Sequence, residues 1–180
     1  MADELTQIVF ETHATTTDNE AGRATGWLPG ELSQVGREQA AELGRRRRAD
    51  GLDVVLTSDL HRAVETVRIA LGDSVPVLHD WRLRECDYGR WNGAPREQVL
   101  GDRSAYLDQP YPDGESWRQA VERVGAVVHD VQRRWGGRRV LVVGHVATRW
   151  GLQIALDGAA LEDLLTQEFA WQPGWEHQVR

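Results

Sequence analysis

The run Arg139–Gly144, RVLVVG, constrains this chain more than any other stretch. Its apolar residues fall on both faces of an extended strand, so both faces must be covered. A parallel sheet with helices on either side meets that requirement. A second short run, Asp53–Thr57, is apolar and flanked by turn residues, and a third, Leu5–Thr12, opens the chain. Between them lie helical patterns. Ser33 caps a helix over Gln34–Arg48, and Ser58 and Asp59 offer caps for one running through Leu71. Pro95 suits the first turn of a short helix to Leu100. Ser116 and Gln119 form a capping box for the most regular helix, whose apolar stripe runs from Trp117 to Trp135. Further helices are predicted near Thr148–Leu156 and Leu161–Leu165, with an edge strand over Val75–Leu78 and a last strand within Glu168–Arg180. Strands alternating with helices predict one α/β domain spanning residues 1–180, a three-layer α/β/α sandwich around a mostly parallel sheet.

In such sheets ligands bind outside the carboxyl ends of the strands. His13 follows the first strand, Arg62 lies one turn beyond the second, and His145 follows RVLVVG. All three are therefore expected at one edge, beside the polar segment Thr15–Gly26 that contains Thr16, Asn19, Arg23, Thr25 and Gly26. Two imidazoles and a guanidinium make a pocket for a tetrahedral oxyanion. A neutral imidazole is a competent nucleophile near neutral pH. To transfer a phosphoryl group it needs donors for the equatorial oxygens, supplied here by Arg62, His145 and Asn19. It also needs a partner, often a backbone carbonyl, to fix its tautomer, and an acid for the leaving alkoxide. Glu85, in a loop with Trp81, Tyr88 and Trp91, is the candidate acid. The scheme calls for no metal and no cofactor.

Composition narrows the partners. The net charge is −7, and the 21 basic residues are all arginine. That balance argues against a general nucleic-acid binder and an anionic membrane surface, and leaves a small anionic substrate for a local arginine cluster. The opening MADELTQ is acidic and lacks the apolar core of a signal peptide, and no apolar run is long enough to span a bilayer. The single cysteine excludes an internal disulfide. A cytoplasmic protein, monomer or homodimer, is the expectation. Cys86 reads as a small buried side chain, because Asn92 stands where a Cys-x5-Arg phosphatase loop would place arginine. The cations Arg45–Arg48 read as the solvated end of a helix. His61, His79, His129 and His177 lack a comparable setting. Trp117 and Trp135 belong to the core stripe; Trp27, Trp91 and Trp150 are candidates for pocket walls or for packing; Trp171 and Trp175 are expected to dock the tail.

Read together, these segments resemble the histidine phosphatase superfamily, which contains phosphoglycerate mutases and small phosphomonoesterases. The family's Arg-His-Gly start, with Thr-x-x-Asn and Arg-x-x-Gly after it, corresponds to Thr12-His13-Ala14, Thr16, Asn19, Arg23 and Gly26. Its Leu-Ser-x-x-Gly-x-x-Gln-Ala segment is Leu32 to Ala40, its Ser-Asp-Leu-x-Arg-Ala-x-x-Thr segment is Ser58 to Thr66, and its Leu-x-Glu-x-x-x-Gly-x-x-x-Gly segment is Leu83 through Gly89 to Gly93. The resemblance makes His13 the phosphorylated nucleophile, Arg62 a phosphate ligand, Glu85 the proton donor and His145 the second histidine. Two departures stand out: Thr12 and Ala14 replace the motif arginine and glycine, and Val146 follows His145 where the family usually has glycine. Losing one charged donor from such a pocket costs on the order of 3–4 kcal/mol of transition-state stabilisation; Arg149 or Arg23 is a candidate replacement. The implied activity is hydrolysis of a small phosphorylated metabolite, a sugar or nucleotide phosphate. The alternatives are a mutase and a catalytically weak binder of phosphorylated ligands with retuned chemistry.

Overall fold

The structure is a computed structural model that describes residues 5–179. The opening acidic segment up to residue 4 and the final residue of the tail lie outside it. Five strands form one sheet: β1 (Thr6–Thr12), β2 (Val54–Thr57), β3 (Val77–His79), β4 (Arg139–Gly144) and β5 (Trp175–Val179), in the order β3-β2-β4-β1-β5. All neighbours pair in parallel except β1 and β5. The strand whose sequence demanded cover on both faces, β4, sits at the centre and is buried from Val140 to Gly144.

The helices cover both faces, and strand alternation decides which residue meets which layer. Ile8, Phe10, Val54, Leu56, Val140 and Val142 face α5 (Trp117–Arg134) and α6 (Val146–Asp157), meeting Val124, Val128 and Leu152. Val9, Val55, Leu141 and Val143 face α2 (Gln34–Arg47) and α3 (His61–Leu71), meeting Leu43, Val67 and Ala70. Gly44 lets α2 and α3 touch: a Cβ there would lie 2.2 Å from the Ala70 carbonyl oxygen. The Ser116–Gln119 capping box opens α5 as its sequence predicts. Three short helices, α1 (Thr17–Glu20), α4 (Arg96–Leu100) and α7 (Leu161–Thr166), complete the chain with a few 3-10 turns.

Two local expectations are corrected. The polar segment after His13, for which the sequence predicts no helix, contains α1, because the Thr16 hydroxyl and Asn19 amide close a capping box. The end of α2 is not a free solvated cluster either. Glu11, 1% exposed in β1, draws Arg46 and Arg47 inward, the Arg47 Nε at 2.8 Å from its carboxylate. A carboxylate buried in a strand requires such partners.

Candidate active site

The parallel register brings three strand ends level, with Thr12 opposite Gly144 and Thr57 opposite Val143. His13 continues the ladder by one bond, its N–H donating to the Gly144 carbonyl at 2.9 Å. Its ring Nδ1 lies 2.7 Å from the Ala14 carbonyl oxygen. A carbonyl only accepts, so Nδ1 carries the proton and Nε2 holds the lone pair. Arg62 Nε donates to that Nε2 at 3.3 Å. Ala14 is itself fixed by its N–H bond to the Thr66 hydroxyl.

Arg62 is 2% exposed and is held on three sides. Nη1 donates to the Leu28 carbonyl and Nη2 to that of Gly26, each at 2.8 Å. Gly26 adopts φ +55°, and a Cβ there would overlap the Asn92 side chain, so the turn that presents its carbonyl requires glycine. Arg62 Nη2 also lies 3.2 Å from His145 Nδ1. The guanidinium only donates, so Nδ1 accepts and the single ring proton of neutral His145 sits on Nε2. That atom is buried with no hydrogen-bond partner among the described residues, a donor available to a ligand oxygen. The two imidazole centroids are 4.9 Å apart. Burial, and then the adjacent Arg62 charge, push the His13 pKa down to about 3 and that of His145 well below its usual range. Both rings are therefore neutral near pH 7, as an imidazole nucleophile must be. Burial lowers Arg62 to about 10, still cationic.

Glu85 reaches the same cavity from the irregular segment after β3. Oε1 accepts the N–H groups of Cys86 at 2.9 Å and Ala147 at 3.1 Å, and Oε2 accepts only the longer bond from Val146 at 3.3 Å. Burial raises its pKa above the usual carboxylate range, while these backbone bonds and Arg62 pull the other way. Oε2 is thus the oxygen freer to carry a proton.

The cavity measures about 500 Å³, far more than one phosphoryl group fills. Of the residues singled out in the sequence, Thr12, His13, Asn19, Arg23, Thr25, Gly26, Arg62, Glu85 and His145 line it. Two others do not. Thr16 is fully buried and its hydroxyl is occupied in capping α1. Arg149 lies one helical turn inside α6, and its guanidinium packs over the rings of Trp175 at 4.4 Å and Phe169 at 5.5 Å. It therefore does not stand in for the arginine missing at position 12. The tryptophans also sort differently: Trp171 and Trp117 border the cavity, whereas Trp27, Trp91 and Trp150 do not. Sequence reading missed Arg96, Leu100, Arg103, Phe169, Glu11 and Arg46, which complete the walls. Arg23 and Arg103 donate to backbone carbonyls and pair with no carboxylate among the described residues, so the cavity keeps a positive charge in a chain of net −7.

A family model described as histidine phosphatase superfamily, branch 1, matches residues 8–170. The chain belongs to that superfamily. Among its histidine phosphatase relatives, a phosphoserine phosphatase of Hydrogenobacter thermophilus is 29% identical over 166 residues, covering 87% of this chain and 79% of the relative. A 2,3-bisphosphoglycerate-dependent phosphoglycerate mutase of Parvibaculum lavamentivorans is 33% identical over 180 residues, covering 91% and 85%. Among solved structures, Bacillus stearothermophilus YhfR superposes with a TM-score of 0.83 at 26% identity, covering 95% of this chain and 90% of that one. A mycobacterial glucosyl-3-phosphoglycerate phosphatase in complex with VO3 gives 0.74 at 26% identity, covering 90% and 85%. The histidine phosphatase fold and the resemblance carried by the motifs thus agree, and this branch of relatives contains both phosphatases and mutases. No helix among the described residues is long and apolar enough to cross a membrane.

Proposed function

We propose that this protein is a phosphoric-monoester hydrolase that works through phosphorylated His13 on a small phosphorylated metabolite, with no requirement for a metal. The observation that carries this reading is the His13 Nδ1 contact with the Ala14 carbonyl: the carbonyl accepts the Nδ1–H bond, which keeps the proton on Nδ1 and leaves the Nε2 lone pair toward Arg62 and the cavity. In the first step Nε2 attacks phosphorus and the ester P–O bond breaks. Its electron pair stays on the leaving oxygen, which takes the proton of Glu85. In the second step water attacks phosphorus, Glu85 receives the proton, the P–N bond breaks and phosphate departs, restoring neutral His13. Arg62 and His145 Nε2 hold the equatorial oxygens, joined by Asn19 at the rim. The aromatic wall of Phe169 and Trp171, and Arg23 and Arg103, which pair with no carboxylate among the described residues, suit a substrate with a ring and a further negative charge, such as a sugar or nucleotide phosphate. Phosphate release from a panel of phosphomonoesters, absent in His13→Ala, is the expected result; release unchanged in that variant would refute the mechanism.

Thr12 favours a second reading, a relative that binds phosphorylated ligands with little turnover. Tight vanadate binding without phosphate release from any member of the panel would establish it. Isomerised product with label retained on His13 would instead indicate a mutase.

A further inference from the structure

The segment that carries Glu85 has little regular structure of its own beyond the 3-10 turn Trp81–Leu83. Its backbone is gripped from outside. Arg123, on α5, has a side chain only 8% exposed. Nη1 donates to the carbonyls of Arg82 and Arg84, each at 2.8 Å, and Nη2 to that of Glu85 at 2.7 Å. Glu115 holds this guanidinium in turn, at 2.8 Å from Nε and 2.6 Å from Nη2, and its carboxylate also accepts the Asp87 N–H at 3.0 Å. The Trp27 indole donates to the same Glu85 carbonyl at 2.7 Å. The Trp27 ring is packed against the guanidinium groups of Arg84 at 4.6 Å and Arg123 at 5.8 Å. Neither Arg123, Glu115 nor Trp27 lines the cavity.

We propose that Arg123, oriented by Glu115 and joined by Trp27, is a positioning residue that sets the height and direction of the Glu85 carboxyl over the leaving oxygen. One guanidinium fixes three carbonyls within four residues, those of Arg82, Arg84 and Glu85, which a single lysine ammonium could not match in geometry. The inference rests on Glu85 being the acid in the reading above. Positioning matters here because displacement of a reacting group by about 1 Å can cost ~10²-fold in rate. It also has a signature that mere stabilisation lacks. A displaced acid harms only those substrates whose leaving oxygen needs a proton.

The test compares kcat/KM for phenyl phosphate, whose leaving group needs protonation, with dinitrophenyl phosphate, whose leaving group does not. Four proteins are measured: unmodified, Glu85→Gln, Arg123→Lys and Trp27→Phe. Glu85→Gln should lose roughly 10²–10⁴-fold on phenyl phosphate and far less on the dinitrophenyl ester. Arg123→Lys should follow the same pattern at roughly 10–10²-fold, with less than about threefold loss on dinitrophenyl phosphate. Trp27→Phe keeps an aromatic ring, smaller than indole, and removes the bond to the Glu85 carbonyl, so it carries the test if Arg123→Lys fails to fold; a smaller loss in the same direction is expected. Equal losses on both esters, or none, in both clamp variants while Glu85→Gln discriminates would overturn the positioning role alone. If Glu85→Gln fails to discriminate, Glu85 is not the acid and the positioning role falls with it. An unmodified protein inert toward both esters would overturn the hydrolase reading and this inference together.

Discussion

In the proposed mechanism Thr12 is the residue on which the strength of phosphoryl binding turns. It lines the cavity and carries no charge; Arg149 packs against aromatic rings outside the cavity, while Arg23 lines it with one bond, from Nη1 to the Gly93 carbonyl. Thr12→Arg should therefore tighten vanadate binding by tenfold or more, the worth of one charge-assisted bond of ~1.5–3 kcal/mol. Calorimetric titration reads this directly, and unchanged affinity would place Thr12 outside the anion site. Glu85 makes a second prediction at this scale. Its pKa is raised, and in the proposed mechanism its protonated form is the acid, so kcat/KM for phenyl phosphate should fall as pH rises through that pKa. Glu85→Gln should lack this limb of the pH profile. His13, Arg62 and His145 were legible in the sequence because each follows a recognisable strand by a fixed number of residues, and parallel register makes strand ends level. Arg149 was misread because sequence spacing from His145 does not show that one turn of helix lowers a side chain by about 5 Å, away from the edge.

Among the elements, α2 and α3 pack on one face only because Gly44 admits the Ala70 carbonyl. Gly44→Ala has to displace backbone, so it should destabilise by about 1–3 kcal/mol despite alanine's better helix propensity. A lowered urea midpoint with unchanged slope would show it; a stabilised protein would mean the helices separate freely. The long elements were readable from periodicity and caps, as α5 illustrates with Ser116, Gln119 and its apolar stripe. Short α1 was not, because its residues are polar and its existence depends on the Thr16–Asn19 box rather than on an apolar face. The tail held a signal that reading residue by residue overlooked. A last strand pairing antiparallel with β1 must enter at the carboxyl edge, so the residues before it, Phe169 and Trp171, come to the cavity.

For the whole molecule, keeping two buried imidazoles neutral links folding to pH. The folded pKa values of His13 and His145 lie below the unfolded value of about 6.5. The unfolded chain therefore binds more protons in acid, and the stability these groups contribute, complete above about pH 6.5, is lost as pH falls toward about 3. Glu85 works in the opposite sense, with stability lost as pH rises through its raised pKa. Comparing the unmodified protein with His145→Asn cancels that second contribution. Denaturant titrations should show the stability gap between them shifting in favour of the variant from pH 7 to pH 5; a gap independent of pH would mean His145 titrates normally in the fold. The cavity's walls draw residues from β1, from all the helices α1–α6, from the Glu85 segment and from the tail, which is why its shape and aromatic content could not be read from any one motif.

The central claim is that a phosphoryl group passes through His13. Rapid-quench trapping with a labelled phosphomonoester, followed by peptide mapping, tests it most directly. Acid-labile, base-stable label on His13 that forms and decays at rates compatible with turnover is the predicted result. Turnover with label on another residue, or with none trapped on His13 under conditions that preserve phosphohistidine, would contradict it.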